Sequence, residues 1–116
     1  MNISWRQTIN NELTHAQSAR DSGNEGMARV CSRRAAGAAI GKYFAEHQLP
    51  DPGSNAFDRL NILKTIPHIP EKALKAAQLL TLRVDVNHQL PVEADLIAEA
   101  RKLIVVLIPD FQFQKD

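Results

Sequence analysis

The sequence predicts an all-α protein, an antiparallel up-and-down bundle of four main helices plus one short helix, with residues 1–116 forming a single domain. Three observations carry this expectation. Apolar residues recur at three- and four-residue steps in successive stretches. Helix-start residues and Pro- or Gly-rich breaks separate those stretches. The aromatic complement is only one tryptophan, one tyrosine and four phenylalanines, so the core should be mostly aliphatic and alanine, which suits helices packed closely together.

The first helix is expected from about Ser4 to Asp21. Ser4 and Gln7 have capping-box spacing, and Trp5, Ile9, Leu13 and Ala16 repeat on one face. Gly23 and Asn24 make a tight connection, so the next helix should return antiparallel to the first. That central helix is expected over the run Ser22 to His47. Ser22 and Glu25 are spaced as a capping box, and Glu25 suits the positive end of the helix dipole and lies four residues before Arg29. Met27, Val30, Cys31, Ala35, Ala38 and Tyr43 can share a buried stripe. From Ala35 to Gly41 the run has almost no side-chain bulk, which predicts a seam where another backbone approaches closely.

Gln48 to Gly53 is a linker containing Pro50 and Pro52. Ser54 or Asn55 can cap a short third helix with Phe57, Leu60 and Leu63 facing inward, stopped by Pro67 and Pro70. A fourth helix should start after Pro70, with Glu71 in its first turn and Leu74, Ala77 and Leu80 or Thr81 on its apolar face, and fade near Val84. Pro91 is suited to the first turn of a last helix, with Glu93 and Asp95 near its start and Arg101 and Lys102 further on. Leu96, Ile97, Ala100, Leu103, Ile104, Leu107 and Ile108 form the strongest helical stripe, which Pro109 ends. The terminal FQFQKD can pair or pack as a tail.

The formal net charge is +1, from 14 basic and 13 acidic residues, so any nucleic-acid site must be local. The single cysteine, Cys31, excludes an intrachain disulfide and an all-cysteine metal site, and fits a reducing compartment. No apolar signal core opens the chain and no stretch reaches the ~18 consecutive apolar residues of a spanning helix, so a cytoplasmic protein without membrane contact is expected. Glycine-rich phosphate loops, metalloprotease helices and serine-hydrolase elbows are missing from the sequence. A di-metal bundle needs two Glu-x-x-His pairs; Glu12 and His15 supply one, and no metal or cofactor is expected. Cys31, beside Val30, is expected as a small buried hydrophobe rather than a reactive thiol.

Arg29, Arg33 and Arg34 form the densest basic group. Lying on one stretch of helix, they could clasp a phosphate, or stand as surface arginines pairing with acids such as Glu25. No aromatic residue is interleaved with them.

In GNEGMARVCSRRAAGAAIGKYF and LRVDVNHQLPVEADLIAEARKLI the chain resembles small prokaryotic members of the HEPN superfamily. The resemblance covers these blocks and the overall helix order. It implies a compact helical bundle, typically a homodimer, in a family that includes toxin ribonucleases, nucleotidyltransferase partners and noncatalytic binding modules. Catalytic members carry an arginine followed after four to six residues by a histidine, a pattern that Arg83 and His88 meet. In such a pair histidine moves a proton at a ribose oxygen and arginine stabilises phosphate charge, with no metal required. The family usually has a polar residue after that arginine, where this chain has Val84. The leading expectation is a noncatalytic interaction or nucleotide- or RNA-binding module. The alternative is a metal-independent ribonuclease, restrained by a protein partner such as an antitoxin.

Overall fold

The computed structural model describes residues 4–114, and these are helical with no strand. Helix α1, Trp5–Asp21, begins with the expected reciprocal cap: the Ser4 hydroxyl accepts from the Gln7 amide and the Gln7 side chain accepts from the Ser4 amide, both at 3.1 Å. It ends in a Schellman turn. Gly23 takes φ +85°, its N–H donates to the Arg20 carbonyl, and the Asn24 N–H donates to that of Ala19.

Helix α2 is Glu25–Glu46, and its cap is Asn24 rather than Ser22. The Asn24 side chain accepts from the Met27 amide at 3.0 Å, while Ser22 is consumed as the C-cap of α1. One short joint thus closes one helix and opens the next, leaving no room for the Ser22–Glu25 box. Glu25 accordingly turns back to Arg20. At its far end α2 closes in a second Schellman turn, with Gln48 at φ 56° and the Leu49 N–H donating to the Phe44 carbonyl.

The buried stripe of α2 is rotated from the expected one. Ala28, Cys31, Ser32, Ala35, Ala36, Gly37, Ala39, Ile40 and Phe44 are buried, whereas Met27 is 45% exposed and Val30, Ala38 and Tyr43 are half-buried. The cause is occupancy on several sides: α2 packs against all four other helices, so small residues are buried on it alongside Ile40 and Phe44. The seam itself is real. Ala56, the first residue of α3 (Ala56–Leu63), lies where a Cβ on Gly37 would come within 3.0 Å of its Cβ, and the Arg59 guanidinium covers Gly41.

Helix α3 is capped by Asn55, and its Leu60 and Leu63 are fully buried while Phe57 is only half-buried. Helix α4, Glu71–Leu80, ends sooner than expected, and helix α5, Leu96–Leu107, begins later. With Pro91 in the first turn, α5 would have Leu90 at its cap, a residue with no acceptor. The Asp95 carboxylate supplies one, accepting from the Ala98 amide at 3.2 Å. Residues 81–95 therefore form a long non-helical connection between α4 and α5. The apolar end of α5 is helical, with Leu103, Ile104, Leu107 and Ile108 buried. The tail packs: Phe111 is buried against Trp5, and the Gln114 amide donates to the Asn10 side chain. Lys115 and Asp116 lie outside the described residues. No helix among the described residues is long and apolar enough to cross a membrane.

Candidate functional site

The two residue groups singled out by sequence, Arg29–Arg33–Arg34 and Arg83–His88, converge on one face. The N-terminal half of α2 supplies the first group. The 81–95 connection, running from the end of α4 beside α2, supplies the second. They meet because Arg33 reaches across: its Nε donates to the Leu80 carbonyl at 2.7 Å and an Nη to the Leu82 carbonyl at 3.0 Å. These carbonyls are at the C-terminal end of α4, where a cation also complements the helix dipole.

An open groove of about 440 Å³ between α2 and the connection is lined by Glu25, Gly26, Arg29, Val30, Arg33, Val84 and His88. A neighbouring groove of about 260 Å³ is lined by Val30, Arg33, Arg34, Phe57 and residues 54–56 at the start of α3. Val30 and Arg33 are common to both grooves, which places the two side by side with Arg33 at their junction.

Phe57 is the residue that sequence reasoning missed in this role. The Arg83 guanidinium carbon lies 4.4 Å from its ring centroid and that of Arg33 lies 4.9 Å away. The aromatic element absent from the arginine cluster in sequence is thus supplied in space from α3. The only local signal was the Asn55 cap, which fixes the helix phase that points Phe57 toward α2.

Among the described residues, no carboxylate forms an ion pair with Arg29, Arg33, Arg34 or Arg83. Glu25 borders the groove but accepts from Nε and Nη2 of Arg20, at 3.0 and 2.8 Å, while Nη1 of Arg20 donates to Asp95 at 2.9 Å. The expected Glu25–Arg29 pairing therefore does not neutralise the face. Burial, reinforced by the charges of Arg29 and Arg83, pulls the Arg33 guanidinium below the ordinary arginine range, though it stays protonated.

His88 sits at φ 60° in a tight loop organised by Asp85. One Asp85 carboxylate oxygen accepts from the Asn87 and Gln89 amides at 2.8 and 3.0 Å, and the His88 N–H donates to the Asp85 carbonyl. His88 lines the groove with Arg29 and Arg33. Arg83, its partner in the sequence pattern, instead stacks on Phe57 and is not among the residues lining that groove.

Cys31 is buried as expected, and burial followed by the neighbouring Glu12 carboxylate holds its thiol above the usual range, contrary to what a reactive nucleophile requires. The structure also unites what the sequence left apart. Glu12 and His15 on α1 meet Cys31 on α2, with the donor atoms of all three within 4.8 Å of one another.

Comparison with protein-family models, with curated proteins and with solved structures finds no match to this chain.

Proposed function

We propose that the protein is a HEPN-like binding module whose arginine face takes a phosphate-bearing ligand, a nucleotide or a single-stranded RNA segment, without cleaving it. The observation that carries this reading is that Arg33 and Arg83 both lie over Phe57 while Arg34 and Arg29 line the two grooves that Arg33 borders, with no carboxylate partner to any of the four among the described residues. Guanidinium groups without a carboxylate partner offer charge-assisted phosphate contacts, Arg33 through the nitrogen that the Leu80 and Leu82 carbonyls leave free, and the neighbouring ring offers apolar surface to a base. The HEPN reading rests on the two sequence blocks, and those blocks supply the groove's two walls.

Fluorescence anisotropy with a short mixed-sequence RNA tests the proposal. About three phosphate contacts on a single strand give a salt slope near −2, so raising salt from about 50 to about 200 mM should weaken binding roughly 20-fold. Arg29→Ala and Arg34→Ala should each weaken it about tenfold, the loss of one charged contact. Absence of binding at low salt, to RNA and to mononucleotides alike, refutes the reading.

One observation favours the ribonuclease alternative: His88 faces the same groove as two arginines. If this is the function, RNA is cleaved by the natural chain, and cleavage is lost in both Arg83→Ala and His88→Ala. The noncatalytic proposal expects no cleavage. We further propose a homodimer. Its interface does not use the small-residue seam, which α3 already covers within the chain. A monomeric mass in solution at tens of micromolar would count against it.

A further inference from the structure

We propose that Glu12, His15 and Cys31 form a binding site for one divalent transition-metal ion of the zinc type, made of residues that line neither groove of the arginine face. The charge of Arg34 nonetheless reaches Cys31. Glu12 and His15 are three residues apart, so they project from neighbouring positions on one side of α1. The short joint at Ser22–Asn24 folds α2 back along α1 and brings Cys31 opposite them. One donor atom from each residue, a carboxylate oxygen, an imidazole nitrogen and the sulfur, lies within 4.8 Å of the other two. Donors bound to tetrahedral zinc at about 2.0–2.3 Å stand roughly 3.3–3.8 Å from one another. Closing that difference takes side-chain rotation of about an ångström, which half-buried Glu12 and exposed His15 have room to make.

The donor set also selects the ion. A thiolate and an imidazole favour zinc, cobalt(II) and their neighbours over calcium or magnesium. Thiolate and carboxylate together match the charge of a divalent ion. On binding, the Cys31 thiol gives its proton to solvent as the sulfur–metal bond forms, with no change of oxidation state. Three protein donors, one of them exposed, leave a fourth position for water or an incoming ligand. The other buried members of the Cys31 cluster are Ala16, Ala19, Ala28 and Ile97, so Glu12 and His15 are the polar groups that meet the thiol.

The test is titration of the reduced, metal-stripped full chain with cobalt(II), followed by displacement with zinc. Because Cys31 is the only cysteine, a thiolate-to-cobalt charge-transfer band reports this site and no other. The expected result is such a band saturating at one cobalt per chain, lost on addition of zinc and absent in Cys31→Ser. His15→Ala, at an exposed position, should keep the helical circular dichroism and weaken cobalt affinity by at least about 100-fold, the upper end of what even outer-shell partners contribute. A folded, reduced chain that shows no charge-transfer band at saturating cobalt overturns the proposal. So does undiminished affinity in His15→Ala, or an endpoint at half an equivalent, which would mean that two chains share the ion through their cysteines.

Discussion

Arg33 belongs both to the proposed ligand face and to the scaffold, and Arg33→Met separates those roles. Methionine keeps most of the apolar stem beside Phe57 but removes two charge-assisted hydrogen bonds, to the carbonyls of buried Leu80 and half-buried Leu82. Hydrogen bonds to charged groups contribute about 1.5–3 kcal/mol each. Part of that loss is offset, because water can reach the Leu82 carbonyl and because the like charges of Arg29 and Arg83 no longer oppose a third. The net cost should be about 2–3 kcal/mol. For a chain of this size that lowers Tm by roughly 10–20 °C. Arg34 is the control: it is exposed and makes no hydrogen bond among the described residues, so Arg34→Met should change stability by less than about 0.5 kcal/mol. Urea unfolding followed by circular dichroism measures both. If Arg33→Met costs no more than Arg34→Met, Arg33 does not anchor the end of α4, and the joining of the two grooves loses its structural basis.

Gly37→Ala sets a helix-propensity gain of about 1 kcal/mol against overpacking of about 1–3 kcal/mol. The new Cβ would stand 3.0 and 3.1 Å from the Cβ and Cα of Ala56, and Arg59, which donates to the Gly37 carbonyl, holds α3 in place. A net loss of about 1 kcal/mol in thermal unfolding is expected, whereas a gain would mean that α3 yields freely. Gln48→Gly should stabilise by about 0.5–1 kcal/mol, since it removes the left-handed backbone penalty at φ 56° and returns only part of it as chain entropy. Acid sensitivity should centre on Arg20. Its hydrogen bonds hold the Glu25 carboxyl below the usual range, so this stabilisation is present above the unfolded pKa of about 4.3 and is lost as pH falls through the lower folded value. Urea midpoints measured between about pH 6 and pH 3 should fall less steeply in Arg20→Met than in the natural chain.

Helix number, order and most boundaries were legible because they depend on local chemistry. The Ser4–Gln7 box, the Asn55 cap and the stripe from Leu96 to Ile108 all express themselves within a few residues. The errors arose where two local signals competed. Ser22 could cap α2 or close α1, and the Gly23 turn settled it by placing Asn24 at the next helix start. Pro91 and Asp95 both signalled a helix start, and only the carboxylate could satisfy an amide. On α2, hydrophobicity misjudged the buried stripe because a helix with four neighbours buries more than one side, taking in alanine and Gly37 as well as Ile40 and Phe44 and leaving Met27 outside. The candidate site shows the same division. The arginines were visible as a cluster, but Phe57 and the Leu80 and Leu82 carbonyls are remote in sequence and come to Arg33 only through packing.

Holding these arginines together has an energetic consequence that distinguishes a ligand surface from an ordinary basic patch. Arg33 is fixed by carbonyls and by the Phe57 ring, Arg83 stacks on that ring, and the long 3.5 Å contact from Arg29 to the His88 carbonyl keeps a third guanidinium at the same groove. Folding therefore brings like charges together in fixed positions, and the cost of arranging them is met before any ligand arrives. A phosphate-bearing ligand would relieve their repulsion while losing little side-chain entropy to do so. Under the proposed function, pyrophosphate at 100 times its Kd should stabilise the fold by about 2.7 kcal/mol, a rise in Tm of roughly 10–20 °C. Simple salt should raise Tm less, by screening alone. Arg29→Ala combined with Arg34→Ala should abolish most of the pyrophosphate response while leaving the salt response largely in place, since Arg33 and Arg83 still oppose each other. A pyrophosphate effect no larger than that of chloride at equal ionic strength would mean that the arginines are held together for packing alone.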